Sequence, residues 1–314
     1  MKTICVVGSL NYDLVTGVNT VPAGGETVHA SSFDTHKGGK GANQAYALRR
    51  LTAPNDAEVA IVGCVGTDSF GKELLDHLKS SGVDTSNVRE LGDVRTGTAT
   101  ILVESSGENR IMVYPGANGR VAKQEALAVL EKYQPDYVVL QNEIPLETTL
   151  AVLDFAAANP KTLSVLNPSP LPELPITQWP SVGLLCVNES EATALSGVDV
   201  ASVEKAQEAL SVLLQYCEIC VITLGGQGVV WQARSGQYKS DVPGYEPANR
   251  VEKVIDTTGA GDTFLAALVS RLASATGPLG AHMSFAQTAS AIAVTRPGAA
   301  SSIPTLDEVE NRVH

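Results

Sequence analysis

The chain has 314 residues, room for one large α/β domain or two smaller ones. Hydrophobic residues make up 44% and aromatics 5%, which suits an ordinary core of Val, Leu, Ile and Ala. A net charge of −12 and a pI near 4.9 argue against nucleic-acid and membrane-surface partners, so a bound phosphate has to be held locally by amides, a few cations or metal ions. Ile4–Val7 reads as a buried parallel strand, ending at Gly8-Ser9. Asn11 and Asp13 follow two residues apart and share one face of an extended segment, either as a polar turn or as ligands beyond a strand's carboxyl end. Gly38-Gly39-Lys40-Gly41-Ala42-Asn43 precedes a helical pattern of Ala45, Leu48 and Leu51, which allows close backbone approach next to two side-chain donors. A Walker-type phosphate loop would need a different spacing. Lys40 is also consistent with a plain solvated residue.

Val59–Val65 is a second buried strand, and Ser69 to Ser80 is a helix opened by a Ser cap. Thr96–Glu104 and Asn109–Tyr114 alternate about a turn at Gly107-Glu108. With Tyr12–Val18 and Thr27–Thr35 they predict a small antiparallel sheet, residues 12–36 and 96–115, serving as a lid or a dimer surface. Strands at Tyr137–Leu140, Leu163–Leu166, Leu184–Val187 and Val221–Leu224 each end in a polar or glycine-rich cluster. Those clusters fall along one edge of a parallel sheet, where open α/β folds bind ligands. Asn188 and Glu191 are either ligands there or caps of a helix over 189–196. Val229–Gln232 and Gly236–Asp241 read as two further short strands, and Val251, Val254 and Ile255 as another within Arg250–Ile255. The whole describes a single α/β domain, 1–314: a three-layer sandwich with a central, mostly parallel sheet flanked by helices, plus the small lid.

The cysteines, Cys5, Cys64, Cys186, Cys217 and Cys220, lie in or beside apolar runs and read as buried thiols. Cys217-Glu-Ile-Cys220 has the spacing of a redox or metal pair but no second Cys or His pair near it. No apolar run is long enough to cross a bilayer, and a strand stands where a signal peptide would, the pattern of a cytoplasmic protein.

Asp256-Thr-Thr-Gly-Ala-Gly-Asp-Thr-Phe264 carries the most chemistry. Two glycines at the start of a helix expose amide N–H groups that attract anions. A carboxylate there, Asp262, is either the helix N-cap or a base that takes a proton from a hydroxyl while the amides hold a phosphoryl group.

Taken together, Asn11-x-Asp13, Gly38-Gly-Lys-Gly-Ala-Asn-Gln44, Asn188-Glu-x-Glu191, Thr223-Leu-Gly-x-x-Gly228 and the 256–264 stretch resemble, in order and spacing, the ribokinase-like carbohydrate kinases, over Ile4 to Ile303. The resemblance implies ATP-dependent phosphorylation of ribose at its 5-hydroxyl. It implies Asp262 as the base and Gly259, Ala260 and Gly261 as the anion hole. Asn11, Asp13, Gly38, Gly39, Lys40, Asn43 and Glu143 would hold the sugar, with Asn11 and Asp13 as acceptors for free ring hydroxyls. Asn188, Glu191, Thr223, Leu224, Gly225, Gly226, Gln227, Gly228 and Gln287 would serve ATP and its Mg2+. Asp256, Thr258, Ala293, Arg296, Gly298 and Ser302 would hold K+, several through carbonyls. Gln287 stands where bacterial members usually carry His, and Pro297 where Lys is frequent.

The exposed small sheet predicts a homodimer through the lid, the acidic charge predicts no nucleic-acid or membrane partner, and the compartment expected is the cytoplasm or, in a eukaryote, also the nucleus. Related readings are a kinase of deoxyribose, fructose or a nucleoside, and a non-catalytic sugar-binding protein on the same scaffold. A Rossmann oxidoreductase is disfavoured because Gly-x-Gly-x-x-Gly is missing after the first strand.

Overall fold

The computed structural model describes residues 1–313. Continuous apolar runs become the parallel strands β1 (Lys2–Val7), β4 (Ala57–Gly66), β8 (Tyr137–Leu140), β9 (Leu163–Leu166), β10 (Val182–Asn188) and β11 (Cys217–Thr223). With β5 (Asp84–Leu91), β12 (Val229–Ala233) and β13 (Gly244–Glu246) they form one sheet in the order β13-β12-β11-β10-β9-β8-β1-β4-β5. Only β12 and β13, at one edge, run antiparallel to their neighbours.

Alternate residues of each strand serve opposite faces. Ile4 and Val6 join one buried cluster, while Cys5 and Val7 join the other. The first cluster is covered by helices α1 (Lys40–Leu51), α2 (Ser69–Ser81), α7 (Ala260–Ser274), α8 (Leu279–Ala293) and α9 (Leu306–Glu310). The second is covered by α3 (Lys123–Tyr133), α4 (Leu146–Ala158), α5 (Glu189–Ser196) and α6 (Val203–Leu213). The three expected layers are therefore present. All five cysteines are free and buried, and burial pushes the Cys5 thiol up to about 12, so the buried-thiol reading holds. Among the described residues no helix is long and apolar enough to cross a membrane.

The small sheet has the order β3-β2-β6-β7, from β2 (Asn11–Val18), β3 (Ser32–Gly38), β6 (Gly97–Glu104) and β7 (Asn109–Tyr114). Its outer pairs are antiparallel as expected, but β2 and β6 run parallel, so the sheet is mixed. Both strands leave the main sheet at the same edge, one after β1 and one after β5, and so they enter the lid in the same direction.

Four local expectations need correction, and one strand was not expected; the strand expected at Thr27–Thr35 lies later, at Ser32–Gly38. Asp68, not a serine, caps α2 by accepting from the Gly71 amide at 3.0 Å. The strand expected at Gly236–Asp241 is a short 3-10 turn, Gly236–Tyr238, and the pairing strand lies later at Gly244–Glu246. Arg250–Ile255 is not a strand: Val254 and Ile255 are 53% and 55% exposed and have no sheet neighbour. β5 escapes the sequence pattern because an edge strand with little buried surface needs few apolar residues.

Candidate active site

At the carboxyl ends of β1 and β8, beneath the lid, lies a cavity of about 690 Å3. Asn11, Asp13, Gly39, Lys40, Asn43, Glu143, Thr258, Gly259 and Asp262 line it, and Ala99, Ile101, Ile111 and Val113 of β6 and β7 contribute apolar wall. Strand alternation explains the lid's contribution. Asn11 and Asp13 face the cavity, while Tyr12 between them stacks on Phe70 of α2 at 4.2 Å and donates to Glu73 Oε2 at 2.7 Å.

The glycines are there for space. A side chain at Gly38 would collide with the Asp13 carboxylate, and one at Gly97 would collide with the Asn11 and Asn118 amides. Gly39 has φ 86, a left-handed conformation, and its missing Cβ would come within 2.6 Å of the Asn11 nitrogen.

Gly259, also left-handed at φ 73, is the N-cap of α7, so Asp262 is not the cap but the third helical residue. The Ala260 amide is turned back to the Thr257 carbonyl at 3.2 Å, and Thr263 N bonds Gly259 O at 2.8 Å. The open first-turn donors are therefore those of Gly261 and Asp262, not Ala260. Around the Gly261 Cα a side-chain carbon would meet nothing within 4 Å, which leaves free approach for an anion.

The Asp262 carboxylate is buried and held from α1: Asn43 Nδ2 donates to Oδ2 at 3.1 Å and Gln44 Nε2 to Oδ1 at 2.9 Å. Glu143 Oε2 accepts from Ser9 Oγ at 2.5 Å and from the Lys40 amide at 3.0 Å. Burial, with the Glu143 and Asp262 charges, pushes the Asp13 carboxyl up to about 7. For Lys40, burial acts downward but Asp262, Glu143 and Glu191 outweigh it, so its ammonium is held above the ordinary range. Lys40 is thus no solvated surface residue but the cation among several acids.

Asn188 and Glu191 form a full capping box on α5: Glu191 N donates to Asn188 Oδ1 at 2.9 Å, and Asn188 N to Glu191 Oε2 at 3.1 Å. Asn188 and Thr223 are register partners at the ends of β10 and β11. Beyond them Gly225, Gly226 and Gln227 form an exposed 3-10 turn. Leu224 offers only its backbone there, because its side chain is buried in the core. Gln287 donates to the Glu246 and Pro247 carbonyls at 3.1 and 3.0 Å, anchoring the segment after β13. The cavity lined by Asn11, Asp13 and Asp262 includes none of these.

The 256–302 group is also drawn together. Asp256 accepts from Thr258 N at 2.8 Å, Thr258 Oγ1 at 2.6 Å and Gly298 N at 2.8 Å. Burial opposes these bonds, but they hold the Asp256 carboxyl below its usual range. Arg296 turns its guanidinium away onto Glu308 at 2.5 Å, so only its backbone remains for a cation.

Asn118, Gln141, Gln44 and Ser9, which complete this polar framework, were not among the candidate ligands. Gln44 stood inside the glycine motif; the others carry no local signal, because their side-chain partners lie 97 to 134 residues away in the chain.

A family model described as pfkB family carbohydrate kinase matches residues 1–306. The ribokinase of Schizosaccharomyces pombe is 39% identical, the match covering 99% of this chain and 97% of that one. The Bacillus subtilis ribokinase is 38% identical, with 99% of each covered. The solved structure of Arabidopsis thaliana ribokinase complexed with ribose and ATP is 27% identical and superposes with a TM-score of 0.87 over 99% of this chain and 98% of that one.

Proposed function

This chain belongs to the pfkB family of carbohydrate kinases, and on that premise we propose that it phosphorylates D-ribose at the 5-hydroxyl with ATP. The observation that carries the reading is Asp262, a buried carboxylate one turn into α7, at the floor of a cavity lined by Asn11, Asp13, Lys40, Asn43 and Glu143.

The sugar lies against these groups with its primary hydroxyl toward Asp262. As that oxygen bonds to the γ-phosphorus, its proton passes to the Asp262 carboxylate and the bond to the ADP oxygen breaks. The Gly261 and Asp262 amides and the α7 dipole meet the charge on the transferred group. The lid's apolar underside excludes water, which would otherwise compete for the phosphoryl group. Pairing of the sugar hydroxyls selects the substrate, since a buried polar group left unpaired on a wrong sugar costs about 1–3 kcal/mol.

The nucleotide lies along Asn188, Thr223–Gly228 and Gln287, an edge rich in exposed backbone. Glu191 uses Oε2 for its cap, and Oε1 has no protein partner among the described residues, a hard oxygen that suits Mg2+ through water. Magnesium bound with ATP supplies charge neutralisation at the phosphates. Asp256, Thr258, Ala293, Arg296, Gly298 and Ser302 offer oxygen donors only, which fits K+; the ion would add positive potential next to the anion hole. The edge strand β7, exposed along its whole length and carrying Ile111, Met112, Val113 and Tyr114, supports a homodimer through the lid. Free, buried cysteines suit a reducing cytoplasm.

The test is ADP release with ribose, deoxyribose, fructose, adenosine or no sugar. Ribose-dependent turnover is expected. Turnover with adenosine but not ribose would move the substrate class, and no turnover in a folded protein would favour a binding protein.

A further inference from the structure

Asp262 is held by two amides, and only one of them borders the sugar. Asn43 lines the cavity and can be shared with a substrate hydroxyl, whereas Gln44 is 0% exposed and does not line it. We propose that Gln44, backed by Gln141, is a positioning residue for the Asp262 base, the two buried amides forming a one-way chain that orients the carboxylate. The proposal rests on Asp262 acting as the base.

The direction of the chain follows from donors and acceptors alone. An ionised carboxylate only accepts, so Gln44 presents its Nε2 to Asp262 Oδ1 at 2.9 Å. Its Oε1 then points away and needs a donor, which is Gln141 Nε2 at 2.6 Å. That leaves Gln141 Oε1 at the far end, buried and without a partner among the described residues. A lone buried acceptor is a cost the fold would avoid with an apolar residue, unless the nitrogen beside it is needed.

Space for this amide is reserved: a side chain at Gly8 would collide with Gln141 Oε1 and come within 2.8 Å of the Gly41 Cα. The three residues sit on α1, β8's exit and α7, so the chain also ties the base to two other elements of the fold. Were Gln44 to turn its amide over, Oε1 would face the carboxylate and drive it out of line. The carboxylate opposes that turn, and Gln141 Nε2 adds to it by holding Gln44 Oε1.

The experiment compares Gln44→Met, Gln141→Met, the double variant and Asp262→Asn in the full chain, with thermal melts to follow folding. Gln44→Met is expected to lower kcat about 30-fold while the KM values for sugar and ATP move less than about threefold, as for a misaligned base. Gln141→Met is expected to lower kcat about fivefold alone and to add nothing in the Gln44→Met background, because it acts only through Gln44. A Gln141→Met loss of the same size in both backgrounds would mean mere packing and overturn the chain. A Gln44→Met enzyme with kcat within about twofold of the parent, beside an inactive Asp262→Asn, would overturn the positioning role and leave the base intact. An active Asp262→Asn would instead remove the base itself. If Gln44→Met does not fold, Gln141→Met alone decides: an unchanged kcat overturns the proposal.

Discussion

Asn118 donates its side-chain amide to Asn11 Oδ1 at 2.7 Å, across 107 residues of chain. The Leu10 backbone N–H, which can only donate, bonds Asn118 Oδ1 at 2.9 Å and so fixes which end of Asn118 is nitrogen. The Asn11 carbonyl oxygen thereby has one partner already, while its NH2 remains to be satisfied. On the proposed sugar-kinase reading, Asn11 would offer a sugar hydroxyl its NH2 beside the acceptor Asp13, where the Asn-x-Asp spacing predicts two acceptors. Replacing Asn118 with Ala frees Asn11 and strands two buried groups, at about 1–3 kcal/mol. A rise of about tenfold in the sugar KM is expected, with the ATP KM unchanged, in steady-state kinetics.

Asp13 makes the apo protein sensitive to pH. Its folded pKa of about 7 lies above the ordinary 3.8, so between those values the folded state holds the proton more tightly than the unfolded chain. Its contribution to stability is fully present below pH 3.8 and is lost as pH rises through 7. Asp13→Asn removes that dependence, and thermal melts at pH 5, 6 and 8 should show a stabilisation that grows with pH. With the half-open cavity screening the charge, about 1 kcal/mol, or 2–4 °C, is expected at pH 8. With Asp13 as the proposed acceptor for the sugar, the parent's sugar KM should fall between pH 6 and 8.

Tyr12 holds the base of the lid against α2 through Phe70 and Glu73. Tyr12→Phe keeps the stack and loses the hydroxyl's bonds to Glu73 at 2.7 Å and Thr35 at 3.4 Å, whereas Tyr12→Leu loses stack and bonds alike. The sugar KM should rise about twofold for the first and about tenfold for the second, since Asn11 and Asp13 flank this anchor. Equal kinetics for both variants and the parent would mean that the lid is aligned by its strands alone.

The Asp256 carboxylate joins the Thr258 and Gly298 backbones. Exchanging K+ for Na+ should lower kcat several-fold at fixed ionic strength, and Asp256→Asn should lower it in K+ and abolish the difference between the salts. Equal rates for the parent in both salts would discard the cation assignment.

The lid's outer edge is also testable by size. Met112 is 58% exposed on the β7 edge strand. Met112→Glu should shift the mass measured by light scattering from two chains toward one, because a charge on an apolar strand edge opposes pairing.

The amino-acid sequence by itself determined the layers and the edge at which chemistry occurs. Strands such as Ile4–Val7 and Ile219–Ile222 are buried on both faces, so hydrophobicity alone announces them. Glycines 38, 39, 259 and 261 and Asp262 were legible because close approach and anion binding demand those residue types in one short stretch. Where backbone exposure rather than composition decides, the pattern misled: Val251, Val254 and Ile255 look like a strand but meet no neighbouring strand. The parallel pairing inside the lid was equally hidden, since strand direction depends on how the main sheet delivers each segment. Only the tertiary structure decided the polarity of the site. Which end of Asn11 is already bonded, which amides of α7 remain open, and what stands behind Asp262 all depend on partners such as Asn118 and Gln141. A hydrogen bond is set by distance and direction in space, and one that closes across 97 to 218 residues of chain leaves no local trace in sequence.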